Sequence, residues 1–189
     1  MNAHPDSELI IISSIYSAVK EDGVVPEELH FERRKALTNW ENICQQYETK
    51  ILDILKDKEI RFSLVRLPLI CGATDDGKSI KYNGLYSLFR ALEEFSKSGK
   101  SELKLNYAQD ATLWYLPIDT SVYIFWRFLE DEARPALLNM VATNPSLNRE
   151  WLNHLKSTFG IDKITPSEES NIELPQQITS LLTDNVQVT

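Results

Sequence analysis

The segment from Gly72 to Ser79 has the residue types and spacing of a phosphate-binding loop. Gly72 and Gly77, followed directly by Lys78 and Ser79, satisfy the pattern G-x-x-x-x-G-K-[ST]. In such a loop the backbone N–H groups surround the phosphates, the lysine neutralises their charge and the hydroxyl holds Mg²⁺. On this hypothesis these four residues are cofactor-binding, and the chain is a small nucleotide-binding enzyme or switch.

The residues around this segment favour a different interpretation. A phosphate-binding loop leaves a buried parallel strand, and Arg66 and Pro68 are poor residues for such a strand. Asp75 and Asp76 would also place two carboxylates beside a polyanion. Because Asp76-Gly77 is a strong hairpin signal, the sequence favours a turn between two antiparallel strands, with nucleotide binding as the alternative.

The other residues that could do chemistry do not form a recognisable constellation. The histidines, His4, His30 and His154, do not lie at metal-ligand spacing with one another or with Cys44 and Cys71. The sequence also contains no C-x-x-C. We therefore expect no catalytic residue, no metal and no cofactor. Whether the chain is an enzyme stays open, and the missing constellation favours a protein that is not one.

The charge balance excludes some classes of partner. The chain has 189 residues, a formal net charge of −8 and a pI near 5.0. Non-specific nucleic-acid binding and attachment to an anionic membrane both need clustered basic residues, so nucleic acid is an unlikely partner and a membrane is not expected. The first residues lack the basic region of a secretory signal, and the apolar run 9–12 is too short to span a bilayer. We expect a cytoplasmic protein.

Helical spacing of apolar residues dominates the first sixty residues. It predicts one helix from about residue 7 to 20 and a longer one from about 26 to 58. The longer helix has apolar residues alternately three and four apart, at Leu37, Trp40, Cys44, Tyr47, Ile51 and Ile54. This seam indicates packing within a helix bundle, with a dimer zipper as the alternative. Arg33, Arg34 and Lys35 are expected to lie on a solvated face.

The rest of the chain mixes short strands with helices. Alternation of apolar and polar residues predicts strands at about 61–71, 79–82, 102–107 and 112–118. Apolar residues three and four apart predict further helices at about 83–98, 119–133, 135–143 and 146–160. The predicted fold class is therefore α+β, predominantly helical, with about six helices and a small antiparallel sheet near 61–82 and 102–118. Residues 1–160 form the single expected domain. The acidic residues 161–189 are expected to be a flexible tail with a short amphipathic segment near 174–182.

The leading functional hypothesis is a non-enzymatic protein–protein interaction module, such as an adaptor, a regulator or an assembly subunit. Its partner is another protein, a second copy of the chain, or both. A subunit of a nucleic-acid-associated assembly is a weaker alternative. The tail segment can dock on its own domain or on a partner. The candidate interaction residues are aromatic or lie in the tail: Trp40, Tyr47, Trp114, Trp126, Leu174, Ile178, Leu181 and Leu182.

Overall fold

The computed structural model describes residues 8–56, 58, 60–79, 81 and 84–188. The strands are β1 (Glu8–Ser14), β2 (Val24–Val25), β3 (Arg61–Leu67), β4 (Leu69–Cys71), β5 (Glu102–Leu105), β6 (Tyr115–Pro117), β7 (Leu137–Asn139), β8 (Lys163–Pro166) and β9 (Gln187–Val188). The helices are α1 (Asn39–Leu55), α2 (Tyr86–Lys97), α3 (Ile118–Glu130), α4 (Asn148–Phe159) and α5 (Gln176–Thr183), and a short 3₁₀ turn spans Ile15–Ser17. None of the helices in these described ranges is long and apolar enough to cross a membrane.

The central sheet contains three parallel strands in the order β1–β3–β7. Leu9 of β1 is in register with Phe62 of β3, and Leu64 of β3 with Leu137 of β7. The prediction of a helix over residues 7–20 was wrong, because a short continuous apolar run fits a buried strand as well as a helix. Here the parallel partner β3 decides in favour of the strand.

Helices cover both faces of this sheet. On one face Ile11 and Leu64 pack with Leu55 of α1. On the other face Val65 and Phe128, a residue of α3, belong to a second cluster. Burial on both faces is the condition under which parallel strands form, and it explains the nearly continuous apolar runs of β1 and β3.

The predicted fold class, predominantly helical α+β with antiparallel hairpins, was wrong. The strands near 61–71 and 102–118 exist, but β4 pairs with β6 and β5 pairs with β8, all in parallel. The predicted helix at 135–143 contains β7, and the described ranges hold five α-helices. Pro68 stands between β3 and β4, where it separates the central sheet from the β4–β6 pair, because proline cannot donate a ladder hydrogen bond.

Helix α1 begins at Asn39, after the N-cap Thr38, and not at residue 26. The Thr38 hydroxyl accepts a hydrogen bond from the Glu41 N–H at 3.2 Å, and the Glu41 carboxylate accepts one from the Leu37 N–H at 2.8 Å. The buried face of the helix carries Glu48 and Leu52, while Tyr47 of the predicted seam is exposed. The described residues therefore leave much of the seam uncovered.

Arg66 lies in the central strand β3 and is fully buried. Its guanidinium donates to the Glu48 carboxylate at 2.7 Å and to the carbonyl oxygens of Pro26 and Glu28 at 3.0 and 3.1 Å. The Ser13 hydroxyl of β1 donates to the same carboxylate at 2.7 Å. A buried charge is tolerated when it is paired and hydrogen-bonded, so Arg66 is compatible with a parallel strand after all.

Arg33 and Arg34 of the basic cluster are also paired, contrary to the solvated face expected for them, whereas Lys35 is exposed as expected. Arg33 donates to the carboxylate of Glu48, and Arg34 donates to Asp184 at 2.7 Å. The side chain of Arg34 is 10% exposed and that of Asp184 11%. The pKa of Arg34 is raised, since its hydrogen bond and ion pair with Asp184 outweigh the effect of burial.

Residues 161–188 pack on the rest of the chain. Strand β8 extends the β5 edge, β9 pairs with β2, and Ile178, Leu181 and Leu182 of α5 belong to the largest apolar cluster. Trp114 reaches the same segment, because its indole N–H donates to the Val186 carbonyl at 2.7 Å. The C-terminal segment thus closes one side of this cluster.

An ion pair at the start of β1 predicts a pH dependence of stability. The hydrogen bond from Arg134 at 2.7 Å lowers the pKa of Glu8. A carboxylate whose pKa is depressed on folding adds stability above its unfolded pKa of about 4.3 and loses it as the pH falls through the folded pKa. Glu8→Gln should therefore have a lower thermal midpoint than the natural chain at pH 7, and the difference should shrink as the pH falls through the folded pKa of Glu8.

Thermal unfolding between pH 2.5 and 7 measures this difference. Glu132→Gln, at an exposed position after α3, is the matched control and should follow the natural chain throughout. A difference between Glu8→Gln and the natural chain that stays constant with pH would show that the ion pair is not its origin.

Candidate functional site

The candidate site is a cavity of about 530 Å³ at the carboxyl ends of two parallel strands. Cys71 ends β4 and Pro117 ends β6, and both line the cavity. In open α/β sheets, ligands bind in the crevice outside the carboxyl ends of the strands. The location of the cavity therefore matches that of a ligand site in this class of fold.

Aromatic side chains from three elements form the cavity walls. Tyr86 and Phe89 come from α2, Tyr115 from β6 and Trp151 from α4. The rings of Tyr86 and Phe89 meet edge to face, with their centroids 5.5 Å apart. The indole N–H of Trp151 donates to the Asn148 side chain at 3.0 Å, which fixes the orientation of that ring. Such walls suit a ligand with a planar base or a sugar ring.

The loop from Gly72 to Ser79 forms the rim of the cavity, and its backbone turns back on itself. The Ala73 N–H donates to the Lys78 carbonyl at 3.1 Å, and the Gly77 N–H donates to the Ala73 carbonyl at 2.9 Å. A Cβ on Gly72 would lie 2.0 Å from the Gly77 carbonyl oxygen, so this close approach requires glycine. Gly77 itself has a φ of +66°, which also favours glycine.

The loop does not have the arrangement of a phosphate cradle. The Gly72 N–H donates to the Tyr86 hydroxyl at 2.7 Å and the Thr74 N–H to Asp119 at 3.1 Å, so these amides already have protein acceptors. The ammonium of Lys78 pairs with Asp76 at 2.6 Å and is largely exposed. Among the described residues, the first helix after the loop is α2, which begins at Tyr86, seven positions beyond Ser79.

The loop forms the turn that Asp76-Gly77 predicts. Ser79 and Lys81 lie outside the strands, and Ile80, Tyr82 and Asn83 are not among the described residues. Strand β4 pairs with β6 in parallel, and most of the predicted return strand near 79–82 lies outside the described residues. Gly72 and Gly77 line the cavity nevertheless.

Asp119, in the first turn of α3, anchors the loop to the body of the chain. Its carboxylate accepts hydrogen bonds from the N–H and the hydroxyl of Thr74, both at 3.1 Å. Desolvation raises the pKa of Asp119, but the hydrogen bonds from Thr74 and neighbouring amides outweigh it, and the net shift is downward. Asp119 therefore stays ionised at neutral pH and holds the loop against the first turn of α3.

The titratable groups that line the cavity are few. His154 of α4 reaches it, and burial raises the pKa of the Cys71 thiol. Across the described ranges, no cluster of three or more histidine, cysteine, aspartate or glutamate residues could hold a metal ion. The cavity can therefore bind and orient a ligand by stacking, by burial and by hydrogen bonds from a small number of polar groups.

The predicted interaction residues fall into two groups. Trp40 and Tyr47 of α1 and Trp126 of α3 are exposed. Trp114, Ile178, Leu181 and Leu182 are buried, and Leu174 packs against the same cluster, so these five residues belong to the core. The cavity residues Tyr86, Phe89, Trp151 and His154 were not among the predicted site residues.

A signal for the missed residues was present but indirect. Tyr86 and Phe89 lie at i, i+3 on α2, and Trp151 and His154 at i, i+3 on α4. Such pairs share one face of a helix. Only the parallel pairing of β4 with β6 shows that both faces border one cavity, whereas the sequence predicted antiparallel, hairpin-type strands near 61–82 and 102–118.

Comparison with known proteins reveals a similar fold. No protein-family model and no curated protein sequence matches the chain. Among solved structures, it is similar to a UDP-glucose 4-epimerase from Thermus thermophilus in complex with NAD, with a TM-score of 0.54 at 14% identity over 95% of this chain and 55% of that one.

Two further enzymes show the same similarity. One is a UDP-N-acetylglucosamine 4-epimerase from Methanobrevibacter ruminantium in complex with UDP-N-acetylmuramic acid, with a TM-score of 0.57 at 10% identity over 96% of this chain and 54% of that one. The other is a dTDP-glucose 4,6-dehydratase from Bacillus anthracis in complex with NAD, with a TM-score of 0.58 at 14% identity over 94% of this chain and 56% of that one. The chain thus spans little more than half the length of these proteins.

At this level of identity the similarity shows the fold alone, a Rossmann-like α/β fold. That finding agrees with the parallel strands and the covering helices. It overturns the interpretation of the chain as a helical adaptor that binds proteins without catalysis, because the similar structures are two epimerases and a dehydratase of this α/β fold, two of them in complex with NAD. The alternative hypothesis, a nucleotide-binding enzyme or switch, fits this fold better, although the Gly72–Ser79 loop on which it was based does not form a phosphate cradle.

The residues present do not fit the phosphates of a dinucleotide. Such folds hold the pyrophosphate at a G-x-G-x-x-G turn between a strand and a helix. The six glycines of this chain do not form that pattern. The turn after β1 holds the buried residues Ile15 and Tyr16 in place of glycines, and the loop after β4 uses its amides internally. We therefore assign no redox step to these residues.

Proposed function

We propose that this chain binds a nucleoside-diphosphate sugar as part of an enzyme of the epimerase or dehydratase type. The observation that carries the proposal is the aromatic-walled cavity at the carboxyl ends of β4 and β6. The similar structures act on or contain UDP-linked and dTDP-linked sugars, which supports this class of ligand. The cavity volume is in the range of small-molecule sites.

Different cavity residues bind different parts of the ligand. Tyr86, Tyr115 and Trp151 offer ring faces and edges to the base or the sugar. The imidazole of His154 and the N-terminal end of α2 bind the diphosphate. The first turn of α2 has no acidic residue that would repel it. Gly72, Thr74 and Gly77 of the loop form part of the rim.

Protection of Cys71 against alkylation tests this proposal, with Cys44 of the same chain as the internal reference. Cys71 lines the cavity, whereas Cys44 lies on α1 away from it, and both thiols are free. Burial raises the pKa of both thiols, so iodoacetamide labelling at pH 8.5 should be slow enough to follow by mass spectrometry. UDP-glucose, dTDP-glucose or UDP-N-acetylglucosamine should slow labelling of Cys71 at least fivefold and leave Cys44 unchanged.

Two variants test whether binding of the ligand in this cavity causes the protection of Cys71. His154→Ala should raise the ligand concentration for half protection at least tenfold, and His30→Ala, another exposed histidine, should not change it. UDP and glucose added separately show which half of the ligand contributes more. Equal labelling rates of Cys71 with and without all three sugar nucleotides at 5 mM would contradict the proposal.

We also propose a reducing, cytoplasmic setting for the protein. Cys44 and Cys71 are both free and partly buried, as expected where thiols stay reduced. Mass spectrometry of thiols trapped in intact cells tests this, because an oxidising compartment would yield Cys71 in a mixed disulfide.

A further inference from the structure

Asn148, the first residue of α4, is fully buried. Its side-chain nitrogen donates to the carbonyl oxygens of Ala108 and Leu182 at 2.9 and 2.8 Å. Its side-chain oxygen accepts a hydrogen bond from the indole N–H of Trp151 at 3.0 Å. Because a carbonyl only accepts hydrogen bonds and an indole N–H only donates one, the amide fits this network in a single orientation. Both the nitrogen and the oxygen of the amide therefore have partners.

The three partners of Asn148 come from three parts of the chain. Ala108 lies in the segment after β5, Leu182 in α5 and Trp151 one turn further along α4. The Ala108 N–H donates to the same Leu182 carbonyl at 2.9 Å, and the Asn148 N–H donates to the Ala111 carbonyl at 2.8 Å. A satisfied buried network of this kind holds its members in one arrangement. It joins the start of α4 to the C-terminal segment.

Trp151 extends this network to the cavity at β4 and β6. It is a wall residue of that cavity and is otherwise buried in the largest apolar cluster. The torsion that turns an indole ring has two broad minima, in which the N–H points to opposite sides. Only the minimum that faces Asn148 gives the N–H this acceptor, and an unpaired buried donor is unfavourable. Asn148 therefore selects the ring orientation that a ligand in the cavity contacts.

Trp114 provides a comparison within the same apolar cluster. It is also buried, and its indole N–H donates to the Val186 carbonyl of the C-terminal segment at 2.7 Å. Leu113 and Tyr115 on either side of it line the cavity, whereas Trp114 does not belong to the lining residues. The two buried indoles thus share the C-terminal segment and differ in their relation to the cavity and to Asn148.

We infer that Asn148 is a positioning residue of the cavity, through which a bound ligand favours docking of the C-terminal segment. This inference rests on the proposed function, because the ligand is the sugar nucleotide assigned to that cavity. A ligand that packs against the oriented Trp151 ring stabilises the hydrogen bonds of Asn148, and with them the contact to Leu182. Coupling between two sites is reciprocal, so docked α5 raises the affinity of the cavity by the same factor.

Hydrogen exchange of the indole N–H groups, followed by NMR of the full chain, tests the positioning role without a ligand. Asn148→Ala should speed exchange of the Trp151 indole at least tenfold and leave that of Trp114 within twofold. Asn153→Ala, which replaces an exposed asparagine of the same helix, should change neither. Equal acceleration of both indoles would show a general loosening of the core. That result, or an unchanged Trp151 indole, would overturn the inference.

Exchange of one backbone amide tests the coupling. In the natural chain, saturating UDP-glucose should slow exchange of the Ala108 N–H, the donor to the Leu182 carbonyl, at least threefold. In Trp151→Phe, which keeps an aromatic ring but lacks the N–H, saturating UDP-glucose should leave that exchange unchanged. This variant retains Asn148, so the measurement decides the matter even if Asn148→Ala does not fold. An Ala108 amide that responds equally in both chains, or in neither, would contradict the coupling.

Ligand protection of Cys71 separates this inference from the proposed function. Asn148→Ala alone should raise the UDP-glucose concentration for half protection at least fivefold. It should add nothing in a chain that already carries Trp151→Phe, since its effect passes through that ring. Independent effects of the two substitutions would overturn this route. If no sugar nucleotide protects Cys71 of the natural chain, the proposed function fails, and exchange of the Trp151 indole still decides whether Asn148 positions the ring.

Discussion

Replacing Glu48 by alanine should lower the free energy of unfolding by about 3–5 kcal/mol. The Glu48 carboxylate is fully buried and accepts hydrogen bonds from Arg66, Arg33 and the hydroxyl of Ser13. Its removal leaves the charge of Arg66 buried without a counter-ion in the central strand. Because a single domain has about 5–15 kcal/mol of stability in total, this one change removes a large share of it.

Urea unfolding followed by tryptophan fluorescence measures the loss. Glu93→Ala removes an exposed carboxylate paired with Lys97 at 2.6 Å and should leave the midpoint unchanged, since exposed ion pairs contribute little. The double variant Glu48→Met, Arg66→Met should recover part of the loss, because apolar side chains replace a buried pair better than one orphaned charge does. A Glu48→Ala midpoint equal to that of Glu93→Ala would show that the network does not stabilise the fold.

Leu182→Ala should lower the free energy of unfolding by about 2–5 kcal/mol, which is the cost of an unfilled cavity in a packed core. Leu182 is fully buried in the largest apolar cluster, and its carbonyl accepts a hydrogen bond from the Asn148 side chain at 2.8 Å. The prediction therefore assigns the C-terminal helix α5 a direct role in the stability of the whole chain.

The matched control for this variant is Leu37→Ala, a leucine that is 47% exposed, which should change the midpoint little. Chemical unfolding of both variants measures the difference between them. A chain that ends at Gly160 would lose β8, α5 and β9 together and should not unfold cooperatively. A cooperative transition of normal midpoint in that shortened chain would contradict the role given to the C-terminal segment.

The two predictions concern the groups that hold the candidate site in place. The Glu48–Arg66 pair joins α1 to β3, the strand that continues through Pro68 into β4. Leu182 packs in the same cluster as Trp151, an aromatic wall of the cavity. Loss of either support should therefore weaken sugar-nucleotide binding as well as stability.

The sequence alone determined those elements whose signal is local. The period of 3.6 residues located α2 and α4, and Gly160 ends α4 in a left-handed conformation at φ +64°. Alternating apolar residues located β5, and Asp76-Gly77 marked the turn at the rim of the cavity. These signals depend on neighbours within one or two turns of chain, which is why they can be read without a structure.

Only the tertiary structure decided how those elements pair. The run Leu9–Ile12 fits a helix or a strand, and the presence of β3 beside it makes it a strand. Arg66 is unfavourable in a central strand until Glu48 and the carbonyls of Pro26 and Glu28 surround it. Parallel pairing of β4 with β6, which creates the cavity, joins segments more than forty residues apart, and no local pattern specifies such a contact.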